Sequence, residues 1–229
     1  FETWLKDDDR PFFALVLLRS AHLPYGDGKP FVDDLDPQVK QWLRPPTFRG
    51  PSSSGYEETQ RRKAFLGLIA SDANVEASLN AAYDSGVANV DQLLGQVVQA
   101  LDDVGKRENT IIVVMGDHGE ALGEQGHIGH SNTLQDAVVR VPLVWSDPAM
   151  QKTGIENNAD VSTVDLLPTL LERVGAVVPA GLDGRDISNA WAVGKSLAPR
   201  PVRSQAAAWN GLVPRRAANS KVGLAEVVS

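Results

Sequence analysis

The apolar positions of this chain fall into short runs of differing period, separated by polar and glycine-rich turns. Phe12 to Leu18 is an unbroken apolar run bounded by Asp7-Asp8-Asp9-Arg10-Pro11 and a polar turn. Its length and content predict a fully buried strand, although periodicity alone leaves a short buried helix open. Val87, Val90, Leu93, Leu94, Val97, Val98, Leu101 and Val104 recur at three- and four-residue steps, the apolar stripe of a helix. Gly105 suits the position just past that helix, where a left-handed backbone costs glycine little. Thr110 to Met115 is β-branched and apolar and predicts a central strand. Thr133 to Val139 predicts a short helix, and Val141 to Trp145 a further strand, with Pro142 near its start where a missing N–H is tolerated. Ser162-Thr163-Val164-Asp165 reads as a capping box opening an amphipathic helix through Leu166, Leu167, Leu170, Leu171 and Val174, closed by Gly175. Lys221 to Val228 is expected as a last edge strand. Residues 26–60, rich in Gly, Pro, Ser and Asp, are expected as a long surface excursion. Helix, tight loop, apolar strand and glycine-rich loop, in that order, predict an α/β protein.

Composition narrows the chemistry. The 229 residues suffice for one large domain, or a domain and a half. A formal charge of −7 argues against a broad nucleic-acid surface. It leaves room for a small anionic substrate, because a bound metal can invert the local field. The absence of cysteine excludes disulfides, thiolate zinc sites and a cysteine nucleophile, and leaves the redox compartment open. No apolar stretch approaches the ~18–20 residues of a membrane span. The chain opens on Phe1 with no signal-peptide pattern, so a processed product or fragment is expected.

All four histidines lie in two segments: His22 in Ser20-Ala21-His22-Leu23-Pro24-Tyr25, and His118, His127 and His130 among the glycines after Met115. Ligands of open α/β sheets bind beyond the carboxyl ends of strands, which is where Asp117-His118 stands. Adjacent strand side chains face opposite ways, so Asp117 and His118 can share one cation only if the backbone turns sharply. Gly116 and Gly119 permit that turn. Taken singly, each of these residues has a plainer reading: Asp117 as a cap, His118, His127 and His130 as loop imidazoles, His22 as a hydrogen-bonded boundary residue. Glu120 and Glu124 are read as solvated or capping carboxylates, and Asp7, Asp8 and Asp9 as a solvated charge run.

Together the segments resemble the sulfatase branch of the alkaline phosphatase superfamily. The resemblance runs in order through Pro11-Phe12-Phe13, Ala21-His22-Leu23-Pro24-Tyr25, Asn109-Thr110 to Gly116-Asp117-His118-Gly119-Glu120, Gly126-His127, Gly129-His130, Val139-Arg140-Val141-Pro142-Leu143, Asp165 to Leu171 and Gly181-Leu182-Asp183-Gly184-Arg185. It implies an alkaline-phosphatase-like sandwich of a mostly parallel sheet between helices, incomplete at the N-terminus. Residues 1–190 would be the C-terminal part of the catalytic domain, and 191–229 the start of a C-terminal subdomain or an edge strand.

By the same resemblance Asp117 and His118 would ligate one divalent metal ion, Ca²⁺ first, with Mn²⁺ or Zn²⁺ as alternatives. Imidazole favours the latter two, and many sulfatases carry Asn where this chain has His118. His22 would contact the transferred group or assist turnover of the covalent intermediate. His130 would meet the ester oxygen and protonate the leaving group, with His127 as second candidate. The implied activity is hydrolysis of sulfate esters, on a small anionic ester substrate and without nucleic acid. Alternatives are a phosphoryl-group hydrolase or transferase of the superfamily, or a noncatalytic binding relative. The family's nucleophile motif, Cys/Ser-x-Pro-x-Arg, is absent: Ser196 to Arg200 has its proline one position late and lies at the wrong end of the chain. The missing N-terminal half of the domain is therefore an expected partner, the isolated chain is expected to be inactive, and a membrane anchor in the parent protein is left open. The resemblance suggests a periplasmic or extracellular setting.

Overall fold

The computed structural model describes residues 2–6, 10–22, 25, 37, 39, 73–130, 133–150, 154–191, 197–207 and 224–228. The aspartate run 7–9 and nearly all of the excursion 26–60 lie outside the described residues.

One long helix organises the rest. After the short helix α1 (Glu2–Lys6), α2 runs from Ala73 to Asp103. It starts well before the valine and leucine stripe, because Val75, Leu79, Ala82 and Gly86 extend the same helical spacing upstream and are buried. It ends at Gly105, whose φ of 68° and N–H bond to the Asp102 carbonyl close it as expected. The two ends of α2 serve different clusters. Its N-terminal half packs Val75, Leu79 and Ala82 with Tyr25, Val39, Leu122 and Ile128. Its C-terminal half packs Ala100 and Leu101 with Leu5 of α1, against Phe12, Val104 and Ile112.

A turn through Arg107–Asn109 leads into β1 (Ile112–Met115), which pairs antiparallel with β4 (Leu143–Ser146), Val114 opposite Val144. Beyond the strand end the Gly116 N–H continues the ladder to the Pro142 carbonyl, at 3.2 Å. Between β1 and β4 the chain makes a small hairpin, β2 (Ala121–Leu122) with β3 (Ile128–Gly129), then the one-turn helix α3 (Asp136–Val139). The hairpin was not foreseen, being two residues a side and hidden among glycines.

The capping box at Ser162 and Asp165 is present, opening a turn that continues into α4 (Leu166–Arg173). Asp165 is fully buried and gathers the surrounding loops. Its carboxylate accepts bonds from the backbone N–H of Ser162 and of Arg185, both at 2.9 Å, and from the Arg200 guanidinium. The Leu224–Val228 strand (β6) pairs antiparallel with β5 (Arg203–Ala207).

The expectation for Phe12–Leu18 needs correction. Among the described residues the segment joins no strand ladder, and Phe13, Leu15 and Leu17 are 80%, 88% and 72% exposed. An apolar run becomes a buried strand only where neighbours satisfy its backbone and cover both faces. Among the described residues only its two ends, Phe12 and Leu18, are half-buried, Phe12 against the Leu5, Ala100 and Leu101 cluster, where Trp4 meets its ring edge-on at 5.4 Å.

Candidate active site

Three of the four imidazoles converge. His118 and His130 stack with ring centroids 4.0 Å apart, and His22 approaches them edgewise at 6.4 Å and 5.2 Å. Each arrives by a different local device.

His22 is carried across α2 on a tight turn, its N–H bonded to the Arg19 carbonyl at 2.9 Å. The turn can lie on the helix because residue 86 is glycine: a Cβ there would sit 2.3 Å from the Ser20 carbonyl oxygen. Buried Ser20 fixes the crossing by donating its hydroxyl to Asn89 at 2.6 Å.

Asp117 and His118 occupy the loop at the end of β1. Gly119 seats that loop against α3, its N–H bonded to the Val138 carbonyl at 2.7 Å, and a Cβ at Gly119 would fall 2.0 Å from the Ala137 carbonyl oxygen. His118 Nδ1 lies 2.9 Å from the Gly119 carbonyl, which fixes the proton on Nδ1 and leaves Nε2 free to ligate. That Nε2 is 3.9 Å from Asp117 Oδ1. Two bonds of about 2.0–2.5 Å can bridge such a gap, so both groups fit one cation. They supply one edge of a coordination shell. Among the described residues no cluster of three or more His, Cys, Asp or Glu completes it. Asp117 is largely exposed, in keeping with an open edge.

His130 follows β3, and its Nδ1 lies 3.3 Å from both carboxylate oxygens of Glu120. Glu120 corrects the sequence reading. It is not a solvated carboxylate, because its side chain is only 3% exposed. The hydrogen bond from His130 and the Glu120 charge, with a smaller contribution from Asp117, hold the His130 imidazole above its ordinary pKa, against the opposing effect of burial. Two tyrosines also sense Glu120. Burial, then the Glu120 charge, raises Tyr25 well above the usual phenol range and raises Tyr83 less. Their rings meet edge-on at 5.5 Å. Glu124 behaves as a cap, its Oε2 accepting the Leu122 N–H at 2.6 Å.

His127 stands apart. It precedes β3 while His130 follows it, and residues three apart across a strand face opposite sides. No ring contact joins His127 to the other imidazoles among the described residues, and its Nδ1 is buried without a partner there. A signal for Glu120 did exist in the sequence: an acidic residue directly ahead of Ala121-Leu122, ten positions before a histidine across a glycine turn.

Solved structures show the alkaline-phosphatase-like fold around this imidazole cluster and Asp-His pair. The chain superposes over 100% of its length on 48% of a phosphonate monoester hydrolase from Agrobacterium radiobacter, with a TM-score of 0.69 at 23% identity. It matches 26% of the phosphonate monoester hydrolase SpPMH from Silicibacter pomeroyi over 58% of its own length, at 32% identity and TM-score 0.51. Residues 1–176 match the family described as Sulfatase, and the chain belongs to that family. An ulvan-active sulfatase from Formosa agariphila is 28% identical over 183 residues, 79% of this chain and 32% of that protein. The chain thus spans about a third of that relative's length.

Proposed function

We propose that this chain carries the metal-binding and leaving-group side of the active site of a metal-dependent hydrolase of sulfate esters. The observation that carries the proposal is the convergence of His22, His118 and His130 beside Asp117, from segments far apart in sequence. Asp117 and Nε2 of His118 would hold a divalent cation, which when bound polarises the ester's nonbridging oxygens and stabilises the oxyanion of the nucleophile. Ca²⁺ is the proposed ion, with Mn²⁺ and Zn²⁺ as competitors because an imidazole ligand suits them better. His130, whose hold on its proton the hydrogen bond to Glu120 strengthens, meets the ester oxygen and gives its proton to the leaving group. His22 donates a hydrogen bond to the transferred sulfuryl group. The family resemblance supports these roles, and the three-ring geometry supports His130 over His127 for the leaving group.

The chain has no cysteine and no Ser-x-Pro-x-Arg, so the proposal assigns the nucleophile to a polypeptide segment outside these 229 residues. The same missing half of the domain would cover the exposed Phe13, Leu15 and Leu17. A second reading, hydrolysis of phosphonate monoesters, draws support from the 32% identity to a solved hydrolase of that name.

The test is turnover. The metal-loaded chain alone is expected to leave para-nitrophenyl sulfate intact, and joining it to a nucleophile-bearing sulfatase segment is expected to produce hydrolysis. Preference of the joined protein for a phenylphosphonate monoester selects the second reading. Turnover by the chain alone overturns the assignment of the nucleophile to another segment.

A further inference from the structure

We propose that Glu120 is a positioning residue for His130, holding a proton on Nδ1 so that Nε2 is the atom presented to the substrate. The inference rests on the reading of His130 as the group that meets the ester. It goes beyond that reading by naming the residue that sets which nitrogen does so.

The hairpin register places the two residues together. Ala121 pairs with Gly129 and Leu122 with Ile128, so the next positions along the ladder are Glu120 and His130, directly opposite each other. Opposed residues of an antiparallel pair project from the same face with Cβ atoms about 4.5–5.5 Å apart, within reach of one hydrogen bond between their side chains. Two glycines let the pair form: Gly119 docks the start of the hairpin on α3, and Gly129, at φ 91°, turns the chain just before His130.

The contact is equal to both carboxylate oxygens at 3.3 Å, which centres Nδ1 on the carboxylate. Glu120 is the more buried partner, its side chain 3% exposed against 29% for His130. A carboxylate so placed is costly unless a donor faces it. Among the described residues Glu120 accepts a side-chain hydrogen bond from His130 alone. An ionised carboxylate has no proton to donate and can only accept, so the imidazole supplies the N–H from Nδ1. The hydrogen bond at one ring nitrogen decides the state of the other. It also fixes the ring plane, which is otherwise free to turn over and exchange a nitrogen for a carbon at each position. The stacked His118 ring at 4.0 Å restrains the plane's tilt but cannot choose between the two flipped orientations. That choice falls to Glu120.

The experiment labels the full chain with ¹⁵N-histidine and reads the His130 ring by long-range proton–nitrogen correlation along an alkaline pH series, at the end of which its resonances no longer move. His130 is assigned by its loss in His130→Asn. In the wild type His130 is expected as the Nδ1–H tautomer, and in Glu120→Ala it is expected to shift towards Nε2–H, the form free imidazole side chains favour in water. Glu120→Gln, which keeps size and one acceptor, is expected to fall between them. A wild-type His130 in the Nε2–H form overturns the proposal, whether or not either variant folds. An unchanged Nδ1–H form in a folded Glu120→Ala chain overturns it equally. Because the tautomer is read without turnover, failure of the ester-hydrolase reading leaves this result standing. In a catalytically competent joined protein, Glu120→Ala is expected to lower kcat by about 10–100-fold, the range for loss of a group that orients an active-site imidazole, with little change in KM. A loss confined to KM would contradict a positioning role.

Discussion

Gly119→Ala puts one methyl group where the structure has no room for it. The added Cβ would stand 2.0 Å from the Ala137 carbonyl oxygen, 3.0 Å from that carbonyl carbon and 3.1 Å from the Val138 Cα. All three are backbone atoms, so no side chain can swing aside, and the Asp117-His118-Gly119 loop must retreat by about 1 Å to reach a tolerable contact. Retreat lengthens the 2.7 Å bond from the Gly119 N–H to Val138. Overpacking of this kind costs about 1–3 kcal/mol and a weakened buried hydrogen bond about 1 kcal/mol more. A total of roughly 2–4 kcal/mol should lower Tm by about 5–15 °C in a protein of this size. A displacement near 1 Å would also separate the stacked His118 and His130 rings, and in a competent enzyme such a misplacement costs on the order of 100-fold in rate. Differential scanning calorimetry is the assay, with Gly95→Ala as control. Gly95 lies inside α2 with nothing within 4 Å of a Cβ there, so that change should stabilise by about 0.5–1 kcal/mol. Gly119→Ala unfolding at or above the wild-type temperature would refute the steric argument.

Three further outcomes follow from the same structure. Asp165→Ala strips two backbone N–H groups and the Arg200 guanidinium of their acceptor and should cost about 3–5 kcal/mol by urea unfolding; a loss below about 1 kcal/mol would show that the carboxylate is not the tie between these loops. Tyr25, fully buried with its hydroxyl lacking a partner among the described residues, has its pKa raised by burial and then by Glu120. Its folded pKa lies above the unfolded value near 10, so its contribution to stability is complete below about pH 10 and is lost as pH rises from there towards the folded value. Tyr25→Phe should blunt that alkaline loss in circular dichroism melts, and an unchanged alkaline profile would contradict it. Leu15→Lys, at a side chain 88% exposed, should change stability by less than about 0.5 kcal/mol while reducing self-association in sedimentation velocity; marked destabilisation would mean that the segment is packed after all.

What could be read from the sequence was local. The stripe from Val87 to Val104, the glycine after it, the strand ending at Met115 just ahead of Asp117-His118 and the Ser162–Asp165 capping box each depend on residues within a turn or two, and each stands where expected. What escaped depended on partners distant in sequence. Glu120 is buried where the β2–β3 fold-back sets it opposite His130, a pairing that local pattern does not reveal, so a carboxylate beside a glycine looked solvated. The division between His127 and His130 is set by strand alternation through a two-residue strand too short to show in the pattern. Phe12–Leu18 has the content of a buried strand, but burial is decided by neighbours, and among the described residues its middle, Phe13 to Leu17, stays exposed.

The central claim is that His22, His118 and His130 surround one cation-linked site opened by Asp117. Mn²⁺ titration of the ¹⁵N-histidine-labelled chain, read as paramagnetic broadening, tests it most directly. The account predicts that the His118, His22 and His130 resonances broaden together at substoichiometric Mn²⁺, and that Asp117→Ala abolishes the effect. Broadening confined to His127, or broadening that survives Asp117→Ala unchanged, would contradict it.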